Sequence, residues 1–155
     1  ELYAAQKHGA PGHQEFSLQK LLDEKPEHLM FNGTMNALTH DHKLKAKVGE
    51  TVRIFFGVGG PNLTSSFHVI GEIFDRVYNQ GSLTSPPLTD VQTTLVPPGG
   101  ATMVEFKLDV PGNYILVDHA LSRAEKGLAG ILEVSGEENH EIFYSKEPVD
   151  PNSGH

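Results

Sequence analysis

Residues 111 to 134 read PGNYILVDHALSRAEKGLAGILEV, and the fold class turns on them. Pro111-Gly112 is a turn signal. Tyr114, Leu116 and Asp118 then alternate with Ile115 and Val117, the period of two that puts successive side chains on opposite faces of a strand. Asp118 falls at the strand's end and His119 just past it. Ala120 to Lys126 is too short and polar for more than one or two helical turns, and Gly127 and Gly130 punctuate the return into Ile131, Leu132 and Val134. A histidine is thus held where a strand end meets a loop, and binding and catalytic groups are often built on loops positioned by a rigid scaffold. On residue type alone, the other reading is a histidine that only caps the loop.

Upstream, the same alternation recurs. Leu44, Ala46 and Val48 alternate with lysines, the mark of a strand with one wet face. Gly49-Glu50 turns the chain into Val52, Ile54 and Phe56, and the two runs are expected to pair as a hairpin. The β pattern opens at His28, with Leu29, Met30 and Phe31 leading through the Asn32-Gly33 turn into Thr34 to Thr39. Phe67 and Val69 flank His68 on a short strand whose other outward residue is Ile70. Thr93 to Val96 is a strand closed by Pro97-Pro98-Gly99-Gly100. Val104, Phe106 and Leu108 make another strand, wet on one face and dry on the other. About seven strands with regular turn signals imply an all-β fold, a Greek-key β-sandwich of antiparallel sheets with one or two short helices. A short helix is expected through Leu18, Leu21 and Leu22, capped by Ser17 and ended by Pro26.

The 155 residues suffice for one domain with a sizeable core. Three segments are expected: an inter-domain linker with its short helix at 1–27, a β domain at 28–136, and a tail at 137–155. The tail's only apolar anchors are Ile142, Phe143 and Tyr144, so it should lie against its own domain or a neighbour, with Val149 to His155 loose. A formal charge of -8 argues against nucleic acid or an anionic membrane surface as partner, and favours a cationic protein. No apolar run is long enough to insert in a membrane, and Glu1 does not begin a signal peptide. The chain has no cysteine, which excludes disulfides, zinc–cysteine sites and thiol nucleophiles and leaves the compartment undecided.

Several features carry bland readings. His8 and His13 are expected to be solvated. His40 and His42 share one side of an extended segment, but Asp41 and the turn-rich surroundings favour a solvated loop over a metal pair. Gly57 to Pro61 lacks the G-K-[ST] ending of a phosphate cradle and is rejected as one. His68, by pattern alone, is a buried, hydrogen-bonded core histidine.

Gly112, Tyr114 and Leu116 resemble the C-terminal loop of cupredoxins, the β-sandwich copper domains, with Asp118 where that family has its copper-ligating cysteine. A blue site needs a thiolate with two histidines and a weak axial ligand, so this chain cannot build one. VDH followed by KGLAGIL, together with SSFHVIGEIFDRVY after GGPNLT, QTTLVPPGG, FNGTMNALT and KAKVGETVR, is similar to the second, C-terminal cupredoxin domain of copper nitrite reductases. The resemblance runs from about Leu2 to Lys146 and is carried by these motifs.

That resemblance implies a cupredoxin-like fold and a share in reducing nitrite to nitric oxide, a step of denitrification. His119 would be a ligand of the type 2 copper, His68 the proton donor, and Ile70 the residue overhanging the metal. Thr93 would hold His68 through its hydroxyl, with Gln92 standing where many members have glutamate. An N-terminal cupredoxin domain, absent from this chain, would carry the type 1 copper and two further type 2 histidines, and the site would close between subunits of a homotrimer. The expected electron donor is a small cupredoxin or cytochrome c, the expected location periplasmic or otherwise extracytoplasmic, and the isolated chain is expected to be inactive. The alternatives are a non-catalytic, degenerate cupredoxin serving as a trimerisation or copper-binding module, and, last, a domain of a different multicopper oxidase.

Overall fold

The structure is a computed structural model and describes residues 1–5 and 12–147. Eight strands follow in order: β1 Leu44–Lys47, β2 Thr51–Gly57, β3 Ser65–Ile70, β4 Arg76–Tyr78, β5 Thr94–Val96, β6 Ala101–Lys107, β7 Gly112–Asp118 and β8 Ala129–Ser135. They form a five-stranded sheet in the order β1-β8-β7-β3-β5 and a three-stranded sheet in the order β2-β6-β4. The inward residues of each sheet, Phe67, Val69, Leu116 and Leu132 on one side and Val77, Val104 and Phe106 on the other, make a single core. This is the expected all-β sandwich, but its sheets are not wholly antiparallel as expected, because β1 runs parallel to β8.

The expected hairpin does not form. β1 pairs in parallel with β8, while β2 pairs with β6 in the other sheet. The residues between them show why: the Val48 N–H donates to the Ser135 carbonyl at 2.9 Å and the Gly49 N–H to the Leu108 carbonyl at 2.7 Å, so the chain changes layer there. Period-two patterning identifies a strand's dry face and is silent about its partner. β6 is also drier than expected, because it is the central strand of its sheet. Its outward Glu105 is 5 % exposed, lying in register with Arg53 of β2 and Arg76 of β4. The Arg53 Nε donates to Glu105 at 2.7 Å, and Arg76 stands 3.7 Å away.

The run from Thr34 to Thr39 is a series of turns, with Asn36 at φ 54° and only Leu38 making a bridge, to Gly130. The short helix is present as α1, Leu18–Leu22, and the Ser17 hydroxyl accepts from the Lys20 N–H at 3.3 Å. The N-terminal stretch has more anchors than its composition suggests. Tyr3 and Ala4 are buried, Leu2 bridges to His28, and the Glu1 carboxylate accepts from the N–H groups of Asn62 and Leu63 at 3.1 and 2.7 Å. The N–H groups just past the glycine-rich loop therefore hold a carboxylate. His13 is exposed, and His8 lies outside the described residues. Ile142, Phe143 and Tyr144 are all exposed, so the described tail does not pack on its own domain; Val149 to His155 lie outside the described residues. Among the described residues, no helix is long and apolar enough to cross a membrane.

Where β7 begins, the Tyr114 hydroxyl donates to the Val110 carbonyl at 2.7 Å and ties the turn into the strand. Gly71, at φ 100°, lies against that ring, and a Cβ there would sit 3.0 Å from it. Glu72 is beside the same tyrosine, and burial, reinforced by Asp109 and Asp75, pushes its carboxyl up to about 7. Burial also raises the Tyr114 hydroxyl, with Glu72 adding to the effect.

Candidate metal centre

β3 and β7 are antiparallel neighbours, with Phe67 opposite Asp118, His68 opposite Val117 and Ile70 opposite Ile115. Alternation sends Phe67 and Val69 inward, which leaves Ser66, His68 and Ile70 on the outward face of the five-stranded sheet. His68 is 8 % exposed. Its Nδ1 lies 2.6 Å from the Gln92 carbonyl. A carbonyl can only accept, so Nδ1 carries the hydrogen and Nε2 is the nitrogen left for chemistry.

His119 follows the last residue of β7. Its backbone N–H donates to the Ser66 carbonyl at 2.8 Å, which extends the β3–β7 ladder by one bond. Its side chain is exposed. The two imidazoles stand side by side, ring centroids 5.4 Å apart and planes tilted by 43°. Ile70 is half-exposed on the same face. Thr93 is half-buried just before β5, adjoining the Gln92 carbonyl that contacts His68; the Gln92 side chain is exposed. The ring contact to His68 thus comes from a backbone carbonyl one residue before the expected threonine hydroxyl.

Among the described residues, no group of three or more His, Asp and Glu side chains is placed to hold a metal ion. His40 and His42 are exposed in a turn. The exposed His119 imidazole is a donor of a type that suits copper, and the described residues alone do not complete a site around it.

Sequence reasoning missed what lies behind His119. Asp118 is 1 % exposed. Its Oδ1 accepts from the Ala120 N–H at 2.9 Å, and its Oδ2 is bonded by the Arg123 guanidinium, whose Nη1 also donates to the Thr64 carbonyl at 2.8 Å. The signal was present: a carboxylate at an inward position of a core strand needs a cation, and Arg123 is the first one downstream. Asp118 and Arg123 also line a cleft of about 160 Å³ at the mouth of the sandwich, with Phe31, Phe56, Ser65 and Leu128. This cleft lies on the inward side and is separate from the histidine pair. The Ser65 hydroxyl there is buried without a partner.

The chain has no cysteine and so no blue copper site of its own, and the comparisons place this β-sandwich among copper proteins. The multicopper oxidase family matches residues 11–138, and the chain belongs to that family. Relatives it matches include copper-containing nitrite reductases. The one from Neisseria meningitidis is 52% identical over 147 residues, covering 94% of this chain and 38% of that protein. Two solved structures agree: the copper nitrite reductase from Nitrosomonas europaea, at TM-score 0.70 and 30% identity over 79% of this chain and 45% of that one, and the copper-containing nitrite reductase from Thermus scotoductus, at TM-score 0.71 and 34% identity over 78% and 28%. The fold is therefore cupredoxin-like, and the likeness read from the motifs is met by relatives in both sequence and structure. The chain spans about 38% of the curated relative's length.

Proposed function

We propose that this chain is the second cupredoxin domain of a copper nitrite reductase, giving His119 as a type 2 copper ligand and His68 as proton donor. The observation that carries this reading is the pair of imidazoles on one outward face, ring centroids 5.4 Å apart, one exposed and one held by a carbonyl. Nitrite with one electron and two protons gives nitric oxide and water. Copper, when bound by His119 and histidines of another domain, supplies the electron and an open position for nitrite.

The chain's own residues do the rest. His68 is oriented through Nδ1, which leaves Nε2 to deliver a proton to the departing oxygen, and an imidazole exchanges protons readily near neutral pH. Ile70 offers an apolar wall on the same face that limits how a small anion can lie. The Gln92 carbonyl steers His68, and the Thr93 hydroxyl would help to hold it. The partners that follow are nitrite, an N-terminal cupredoxin domain carrying the type 1 copper, two further copies in a homotrimer, and a small electron-donor protein in a periplasmic or other extracytoplasmic setting. The proposed division is a linker at 1–27, a domain at 28–136 and a tail at 137–155; the exposed Ile142 to Tyr144 favour a neighbour for the tail.

The test is a pair of variants in the intact protein. His119→Ala should lose the type 2 copper signal and stay folded, while His68→Ala should keep the copper and turn over nitrite 10²–10⁴-fold more slowly. Copper retained in the first variant, or unchanged rates at every pH in the second, contradicts the assignment. A protein that binds copper through His119 and reduces no nitrite, even with its N-terminal domain present, would instead be a trimerisation or copper-binding module.

A further inference from the structure

We propose that the buried Asp118–Arg123 pair is the device that positions His119, an inference that rests on the reading of His119 as a copper ligand. Neither residue reaches a metal on the outward face, because Asp118 points into the sandwich; they are positioning residues. A residue one step past a strand end has lost its ladder on one side, and its backbone would be free to swing. Here its own N–H is bonded, and bonds of the residues on either side hold the turn behind it. The His119 N–H donates to Ser66 at 2.8 Å, the following N–H, of Ala120, donates to Asp118 Oδ1 at 2.9 Å, and Arg123 joins Asp118 Oδ2 to the Thr64 carbonyl at 2.8 Å. Asp118, Arg123 and the lead-in to β3 thus enclose the His119 backbone in one hydrogen-bonded frame.

Stability alone does not account for this pair. Burying a carboxylate at 1 % exposure carries a desolvation cost that an ion pair roughly cancels, and an apolar pair of similar volume would serve the core as well. What the ion pair adds is directional bonding, which an apolar pair lacks. A ligand completed by donors from other polypeptide has to be aimed from behind, and a metal site tolerates only about 0.5 Å of error.

The experiment uses the intact, copper-loaded protein. Asp118→Asn keeps an acceptor for the Ala120 N–H and removes the charge facing Arg123. We expect the type 2 copper dissociation constant to rise about 10- to 100-fold and the copper hyperfine splitting in electron paramagnetic resonance to change. Arg123→Lys, which keeps a positive charge facing Asp118 on a single nitrogen, as the Nη1 of Arg123 is, should change both less than Asp118→Asn does. Val104→Ala, a core change in the opposite sheet, should lower the melting temperature and leave copper affinity and spectrum as in the parent. A folded Asp118→Asn protein with the parent's affinity and spectrum overturns the inference. Should that variant not fold, Asp118→Asn/Arg123→Gln, which leaves neither charge unpaired, is read by the same two measurements. If His119→Ala keeps its type 2 copper, the ligand reading itself fails; if it loses copper and Asp118→Asn does not, only the positioning role fails.

Discussion

Glu72 offers a test of the sandwich through pH. Its carboxyl is pushed from 4.5 up to about 7, first by burial, then by Asp109 and Asp75. A raised acid pKa means the folded chain holds a proton that the unfolded chain releases between about pH 4.5 and 7. Stability therefore falls as pH rises through that window, with no penalty below it and the full penalty above it. At 1.36 kcal/mol per pH unit the shift would amount to about 3 kcal/mol, and solvent screening of this partly exposed group reduces it to about 1 kcal/mol. Glu72→Gln keeps the size and the hydrogen-bonding group near Tyr114 and removes the charge. Thermal unfolding followed by circular dichroism should show the variant melting about 2–4 °C higher than the parent at pH 8 and together with it at pH 4. An equal shift at both pH values, or a variant that melts lower at pH 8, would refute the reasoning.

Further tests concern the frame around the site. Glu105→Gln removes the charge that Arg53 and Arg76 share across the outward face of the three-stranded sheet; both arginines can turn to water, so denaturant unfolding should show a loss of about 1–2 kcal/mol. Gly127 stands at φ 104°, and a Cβ there would lie 3.0 Å from the Leu29 carbonyl and 2.8 Å from Met35. Gly127→Ala should therefore cost more than about 1 kcal/mol in the same assay. A neutral result at Gly127 would mean that the loop returning from His119 to β8 relaxes freely.

Much of this could be read from residues. Alternation in Tyr114 to Asp118 placed a strand and left His119 at its end, and the spacing of Phe67, His68 and Val69 fixed which of them would face outward. Ser17 marked the helix start because capping is local chemistry, while the helix stops at Leu22 through the turn at Glu24, before Pro26. Pairing was not legible: Leu44 to Val48 and Val52 to Phe56 look like a hairpin in sequence, yet Val48 and Gly49 bond to different sheets. Contacts that join distant residues were equally hidden. Nothing local says that Arg53 and Arg76 would dry out Glu105, or that Glu1 would bond Asn62 and Leu63. At the site, motif likeness singled out His68, Ile70, Thr93 and His119, and the geometry brings the two histidines together. It contributes the Gln92 carbonyl on His68 and the Asp118–Arg123 pair behind His119, both of which depend on loop paths that composition does not specify.

The most direct measurement is a copper-edge anomalous difference map from crystals of the intact protein. The account predicts a copper peak within bonding distance of a His119 ring nitrogen, completed by histidines from outside residues 1–155, with His68 beside it and unbound. A map with copper elsewhere and the His119 ring pointing to solvent would contradict it.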